Sequence, residues 1–463
     1  MLHPFVDRRA ELQSLSRALP PAVSALFVLY GRRRIGKTEL LHHFLADRPH
    51  VFFTGDLGTP LQHVRGLSER LGAHLGDEFL SSGGTLDWGT LLAYLEAHPR
   101  PLDLVLDEFP YLCQASPALP SLLQSTWDRT WRTGETRLIL CGSSVSFMEQ
   151  VVLAEPSPLF GRRTGQMRLR AMDFWSAREM LPHLTDVEAV EAWACLGGTP
   201  AYLAKLRAAR NLSEGLIAQV LDPVSYLHEE PRLLLHQELR ELKHYFALLA
   251  SVAAGNTRLN EIAQDVGLET GHVSRYLDTL MRLELILREV PVTEKSPERS
   301  RKGLYRVADP FFRFWFRFVR PNVTELQAGE AEWVYRERIA PHFDHYVAPA
   351  FEDLCAAWVL RRGRAGDLPF RPARAGRWWG GANDMDVVAF DDQWLLVGEC
   401  KWSRRKHGSE TIRALAERAA NLPGFERHRR MYCLFSRTGT TLFDRGANVL
   451  HVGLDALVGD RMG

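Results

Sequence analysis

Three sets of residues in this chain have types and spacings that can do chemistry. The first is Gly31, Arg32, Arg33, Arg34, Ile35, Gly36, Lys37 and Thr38, followed by Glu39, a G-x-x-x-x-G-K-T run. In such a run the glycines let successive backbone N–H groups turn inward around a phosphate, because no Cβ stands in the way. Lys37 is placed to reach the outer phosphates of a nucleotide, and the Thr38 hydroxyl to ligate Mg²⁺. The second set is Asp107 and Glu108, at the end of PLDLVLDEF. Nucleotide hydrolysis needs one carboxylate to hold the hydrated metal and another to orient or deprotonate the attacking water. Asp107 suits the first task and Glu108 the second. The third set is Asp386 with Glu399 and Lys401, the last two in an E-x-K arrangement. Residues two apart in a strand share a face. Two carboxylates there can bind a divalent cation that polarises a phosphodiester, while the lysine activates water or steadies the developing charge. Glu352, on an expected helix upstream, is a candidate third acid. An ordinary Glu–Lys surface pair has the same spacing.

These residues need elements to hold them. The apolar run Leu26 to Tyr30 stops at Gly31, and Gly36-Lys37-Thr38 opens a helix through Leu41, so the first set lies on a strand–loop–helix unit. The helix N-terminus adds partial positive charge where a phosphate would sit. A second strand is expected at His50 to Thr54. Pro101 to Phe109 reads as a buried parallel strand with its acids at the carboxyl edge. A further strand, Arg137 to Cys141, runs into Gly142-Ser143-Ser144. Ser143 there either senses the γ-phosphate or, with Ser144, caps the helix expected over Val145 to Val151. In SPLFGRRTGQMRLR, Arg162 or Arg163 is a candidate arginine finger, although surface arginines outnumber fingers.

Downstream the pattern changes. Phe174 to Leu235 is periodic at helical spacing and carries no cluster of catalytic residue types. Helices are expected up to Ala254, over Leu259 to Val266 and over Thr270 to Arg282, followed by a strand at Ile286 to Val290 and the charged tip EKSPERSRKG. That order reads as a winged helix-turn-helix, with Ser274, Arg275, Arg299, Arg301 and Lys302 available for phosphates or base edges. A winged helix that only binds protein has the same pattern. In YRVADPFFRFWFRFVRPN, dense in aromatics, Phe312, Trp315, Phe316 and Val319 fall at helical spacing and read as core. Further on, the expected order is a helix over Ala348 to Leu360, strands over Leu368 to Trp379, Met385 to Phe390 and Trp394 to Trp402, a helix over Ser409 to Leu422, and a strand over Met431 to Phe435. An arginine run from Arg361 to Arg377 lies before the acids.

Composition narrows the class. At 463 residues the chain has room for about three domains. Its net charge of +1 means that any basic surface is local. The six cysteines are scattered without a C-x-x-C pair and read as thiols of a reducing cytoplasm, not as a disulfide frame or zinc site. The expected location is cytoplasmic: the N-terminus has no apolar signal core, and no apolar run is long enough to span a bilayer.

Phe5 to Leu12, GRRRIGKT, LVLDE, CGSS and the GRR segment together resemble the prokaryotic, especially archaeal, P-loop ATPase family, related to the AAA+ and signal-transducing (STAND) ATPases. The resemblance implies a central parallel sheet in which the P-loop strand and the acidic strand are not adjacent, and a helical lid after it. It implies ATP with Mg²⁺ as cofactors. It carries over phosphate binding for Gly31, Gly36, Lys37 and Thr38, magnesium for Asp107 and water activation for Glu108. Gly197-Gly198-Thr199-Pro200 resembles the G-x-P element of STAND lids, and a simple helix-to-helix turn reads equally well. The aromatic stretch resembles the opening of the uncharacterised domain that follows this ATPase type, and D…E-x-K resembles the restriction-endonuclease-like core, with Asp386, Glu399 and Glu352 as its metal set. The expected fold class is therefore α/β: a P-loop NTPase parallel sheet (1–173), a helical lid and linker (174–235), a winged helix-turn-helix (236–303) and an aromatic connector with a restriction-endonuclease-like α/β domain (304–463). The expected function is ATP hydrolysis coupled to action on DNA, with metal-dependent cleavage in the C-terminal domain. The alternative is an ATP-driven conformational switch whose nuclease-like domain is inactive. DNA and a homo-oligomer are the expected partners, and no membrane.

Overall fold

Ala25–Tyr30 forms strand β1, and all of its residues are buried. A strand buried on both faces needs parallel neighbours and helices on either side. The computed structural model, which describes residues 5–239, 241–381, 383–441 and 448–460, supplies both. Around β1 the sheet runs β2 (Val51–Thr54), β3 (Leu102–Asp107), β4 (Thr136–Gly142), β1, β5 (Gly165–Arg168), with each neighbouring pair parallel. β4 thus separates the P-loop strand from the acidic strand, as the resemblance implies. Leu26, Val28 and Tyr30 pack on one face with Leu67, Leu91 and Leu123. Phe27 and Leu29 pack on the other with Leu15, Leu40 and Leu41. Burying side chains of this size stabilises the fold by about 1.5–3 kcal/mol each. β5 lies in SPLFGRRTGQMRLR, a segment for which the sequence reading names no element. The helix expected at 145–151 is a single turn, Val145–Phe147, continued by a wider π-type turn, Met148–Leu153.

The chain divides into two compact units, Met1–Ala171 and Met172–Gly463. The second begins with short helices, Phe174–Met180, Asp186–Leu196 and Pro200–Leu206. Helices Leu242–Ala254, Leu259–Val266 and Thr270–Arg282 follow, and Gly255 and Gly267 end the first two in the left-handed conformation that favours glycine. Next come β6 (Ile286–Glu289) and β7 (Leu304–Val307), paired antiparallel. Phe312, Trp315, Phe316 and Val319 are all buried.

The C-terminal sheet follows the long helix Phe343–Ala365. Strands β8 (Ala375–Gly380), β9 (Asn383–Phe390) and β10 (Trp394–Lys401) form an antiparallel meander. After helix Ser409–Ala420, β11 (Arg429–Ser436) pairs parallel to β10, and β12 (Val449–Gly453) parallel to β11. β8 is shorter than the sequence pattern suggests because Pro369 and Pro372 interrupt its beginning. β12 has no counterpart in the sequence reading: VLHVG is too short and too mixed to stand out.

Candidate functional site

In the first unit the strand register sets the site. Leu29 pairs with Cys141 and Tyr30 with Gly142, while Leu106 pairs with Leu140. The carboxyl ends of β1, β3 and β4 are therefore flush, and the residues that follow each strand meet over one edge, where ligands bind in open parallel sheets. Gly31 has φ 151°, and a Cβ on it would lie 2.3 Å from the carbonyl oxygen of Leu169. Gly36 has φ 89° and starts helix Lys37–Leu45. Ile35 is buried with Leu29, Leu40 and Leu169, so it anchors the loop by packing.

Lys37 is buried, and its Nζ donates to the carbonyls of Gly31 and Arg32, each at 2.9 Å. Burial lowers its pKa, opposed by Cys141, Glu108 and Asp107. A desolvated ammonium held by backbone dipoles gains when an anion reaches it. Asp107 is shared: Oδ2 accepts from Thr38 Oγ1 at 2.9 Å, and Oδ1 from the Glu108 N–H at 2.9 Å. Thr38 and Asp107 thus offer two hard oxygen donors from facing elements, a set that suits Mg²⁺. Glu108 has φ 48°, a left-handed conformation that costs a non-glycine residue of order 1–3 kcal/mol. Its Oε2 accepts a hydrogen bond from Ser143 Oγ at 2.7 Å. The alternative role for Ser143 is not seen: Ser144 is the residue before helix Val145–Phe147 and makes no side-chain cap there.

The remaining candidates divide. Arg33 donates to Tyr111 Oη at 2.8 Å. Glu39 is exposed on the first turn of its helix. Arg162, the candidate finger, has its guanidinium held by Asp128 at 2.8–3.0 Å and by the carbonyls of Pro158 and Phe160. Sequence reasoning missed Arg8. It is 5% exposed and donates to the carbonyls of Ile35 at 3.1 Å and Arg170 at 2.8 Å, and to Glu11 at 2.9 Å. It ties the phosphate loop to the end of β5. Asp7 and Arg8 both have positive φ, 56° and 66°, and no composition signal announces two such residues in succession.

In the second unit, Gly197 and Gly198 sit between helices, and a Cβ on Gly198 would lie 1.9 Å from the Met172 carbonyl oxygen. Gly198 is therefore required by close backbone approach, and Gly197 has a φ of 61° that favours glycine.

The acids of the C-terminal sheet are near one another but engaged. Asp386 lies one step beyond the Gly398–Val387 pair, beside a register shift in the β8–β9 ladder, and accepts the Cys400 N–H at 2.7 Å. Burial and then Glu399 push its pKa up to about 6. Burial and then Asp386 push Glu352 up to about 7. Glu399 follows Leu395 and Val397 on the face packed against Leu415 and Ala419, and there it meets Arg418; its other oxygen accepts from Lys401 at 2.7 Å. Glu352 is paired with Arg377 at 3.2 Å. The expected metal set Asp386, Glu399 and Glu352 is engaged by other partners, and among the described residues no three His, Cys, Asp or Glu side chains stand as a metal-ligating group. Arginine and lysine take up the charge that a cation would otherwise neutralise.

No helix of the described residues is long and apolar enough to cross a membrane.

Comparison with known proteins agrees with this architecture. Residues 5–206 match the family described as an ATPase domain predominantly from Archaea, and residues 315–412 match archaea bacterial proteins of unknown function. The chain is 29% identical over 436 residues to an uncharacterized protein of Methanocaldococcus jannaschii, covering 94% of this chain and 95% of that one. A 44-residue stretch is 46% identical to an uncharacterized ATP-binding protein of the same organism, covering 10% of this chain and 75% of that one. Among solved structures, the Walker-type ATPase of Pyrococcus abyssi superposes with a TM-score of 0.51 at 20% identity, covering 68% of this chain and 96% of that one, a likeness of fold. The phosphate loop on β1, the acids on β3 and the intervening β4 all lie within the residues matched, and the chain carries an archaeal P-loop ATPase domain at residues 5–206 joined to a C-terminal domain that matches the second family at 315–412.

Proposed function

We propose that the first unit turns over Mg²⁺-ATP with Lys37, Thr38, Asp107, Glu108 and Ser143 as its working side chains. The observation that carries this reading is the chain Thr38–Asp107–Glu108–Ser143, in which the metal-side donors and the water-side acid are joined through Asp107. Bound Mg²⁺ would neutralise charge across the β- and γ-phosphates. Lys37 exchanges its two carbonyl partners for phosphate oxygens. Thr38 and Asp107 would hold the ion, directly or through its waters. Glu108, held by the Ser143 hydroxyl, takes the proton of the attacking water once that hydroxyl turns toward the γ-phosphate. A single-turnover measurement with Glu108→Gln tests the assignment: nucleotide stays bound and is hydrolysed slowly. Hydrolysis at the wild-type rate overturns it.

The work coupled to turnover is, on this reading, performed on duplex DNA. The support is the three helices over 242–282 followed by the β6–β7 hairpin, an order that suits a winged helix with Arg275 exposed on its third helix. Filter binding of duplex DNA at rising salt tests it, and salt-independent or absent binding overturns it. Metal-dependent cleavage by Asp386, Glu399 and Lys401 is a second reading. It is supported by the nearness of Asp386 to Glu399 and Lys401 on the adjoining strands β9 and β10, and opposed by the arginines that close Glu399 and Glu352.

A further inference from the structure

The hairpin tip between β6 and β7 does not stand free. The Val292 N–H donates to the Arg377 carbonyl at 2.9 Å, which extends the edge of the C-terminal sheet beyond β8 by one backbone bond. Arg374 Nη1 donates to the Glu294 carbonyl at 3.1 Å. The tip is also braced from within: Arg288 of β6 reaches under it to the carbonyls of Pro297, at 3.0 Å, and Ser300. Gly303 makes room for that guanidinium, since a Cβ there would lie 2.3 Å from its Nε. Lys302 pairs across the hairpin with Glu294 at 2.8 Å. Behind the junction, Glu289 lies between Arg306, at 3.5 Å, and Arg377, at 3.8 Å, and those two arginines continue to Asp353 and Glu352 on the long helix. The hairpin and the β8 edge are therefore joined by one backbone bond, one side-chain-to-carbonyl bond and a half-buried ion network.

The charges on the outside of that junction are mostly positive. Lys295, Arg299 and Arg301 on the tip, and Arg371 and Arg374 just before β8, are all exposed. Among the described residues none of these five has a carboxylate partner; the one acid exposed among them is Glu298. Arg374 commits one of its five donors to a carbonyl, which carries no net charge, so its own charge stays available. Unpaired guanidinium groups on joined elements suit a polyanion with regularly spaced charges better than a folded acidic protein, because a duplex backbone presents phosphates along a line whatever its sequence.

We propose that the hairpin tip and the Arg371–Arg374 segment form one phosphate-binding ridge for duplex DNA, so that the C-terminal domain shares the grip of the helical module. The inference rests on the DNA reading given above and adds two contacts outside that module. Its consequence is geometric: duplex held by helix Thr270–Arg282 and the hairpin is laid along the β8 edge of the sheet that carries Asp386 and Glu399.

The test is the salt dependence of binding by the full chain to a mixed-sequence DNA duplex, from about 50 to 200 mM monovalent salt. Wild type should bind with a steep negative slope of log K against log salt. Arg371→Ala with Arg374→Ala should weaken binding and make the slope shallower by about 2, as two lost phosphate contacts require. Arg371→Lys with Arg374→Lys keeps the charges and should bind close to wild type. An alanine pair with the wild-type slope overturns the ridge and leaves the DNA reading standing. A lysine pair as weak as the alanine pair also overturns it, since docking of the hairpin and not charge would then be at stake. If wild type itself shows no salt-dependent binding while Arg275→Ala changes nothing, the DNA reading falls and the ridge with it.

Discussion

The Ser143 hydroxyl donates to Glu108 Oε2 across 2.7 Å, so the acid at the end of β3 is held by the end of the adjacent strand β4. Because Glu108 also has left-handed backbone geometry, its side chain is directed by two constraints that the flush strand ends impose. The hydroxyl has two possible partners when nucleotide is bound, the carboxylate and the γ-phosphate, and moving between them would release Glu108 toward water.

From this we expect Ser143→Ala to lower kcat by about tenfold with little change in KM, while Glu108→Gln lowers kcat by about 10²–10⁴-fold, the range for loss of a general base. Steady-state rates beside nucleotide-binding isotherms separate the two effects. A Ser143→Ala enzyme with unchanged kcat would assign the serine to packing alone.

Lys37→Ala should weaken ATP binding at least tenfold, since a charge-assisted hydrogen bond in a desolvated setting contributes about 1.5–3 kcal/mol. Asp107→Ala should abolish the Mg²⁺ dependence of binding, because it removes the partner of both Thr38 and the Glu108 N–H. Calorimetry with and without Mg²⁺ reads both outcomes.

Arg8→Ala should cost about 2 kcal/mol of stability, because the carbonyls of Ile35 and Arg170 lose a buried charged donor. It should also raise KM for ATP, since the phosphate loop loses its tie to β5. Chemical denaturation and steady-state kinetics check the two effects, and an unchanged KM would confine Arg8 to folding.

Glu191 carries a pH signature. Burial pushes its pKa from 4.5 to about 7, against the pull of Arg437, with Asp344 adding to the rise. A carboxyl with a raised folded-state pKa binds its proton more tightly folded than unfolded, so its contribution to stability is full below about pH 4.5 and is lost as pH rises toward about 7. Glu191→Gln should remove that loss: denaturation midpoints of variant and wild type should diverge in the variant's favour between those limits and stay apart above pH 7. Parallel curves across the range would refute it.

For the C-terminal acids, Mn²⁺ or Mg²⁺ should stabilise the chain only if Glu399 can leave Lys401 and Arg418. Arg418→Ala should then increase metal binding and any metal-dependent nicking of plasmid DNA, while Lys401→Ala should abolish nicking with metal still bound. A chain in which Arg418→Ala neither binds metal nor nicks would leave this sheet without a cleavage role.

Local chemistry in the sequence was enough for the P-loop architecture. GRRRIGKT requires glycines where backbone must close on phosphate, and the apolar runs ahead of Gly31 and Asp107 can only be strands buried on both faces, so parallel sheet and nucleotide chemistry follow from short stretches of chain. Which distant residues share a charge is decided by strand order and helix placement, and no local pattern records it. The interposition of β4 brings Ser143 to Glu108. Packing of helix Ser409–Ala420 on β10 brings Arg418 to Glu399, which changes an acid that reads as a metal ligand into the partner of a cation. The same holds for Arg8, whose partners lie 27 and 162 residues away, and for the hairpin tip that proves to be bonded to β8. Arginine is long, and its reach is set by whichever carbonyl or carboxylate the fold delivers, so its role becomes legible only once the chain is folded.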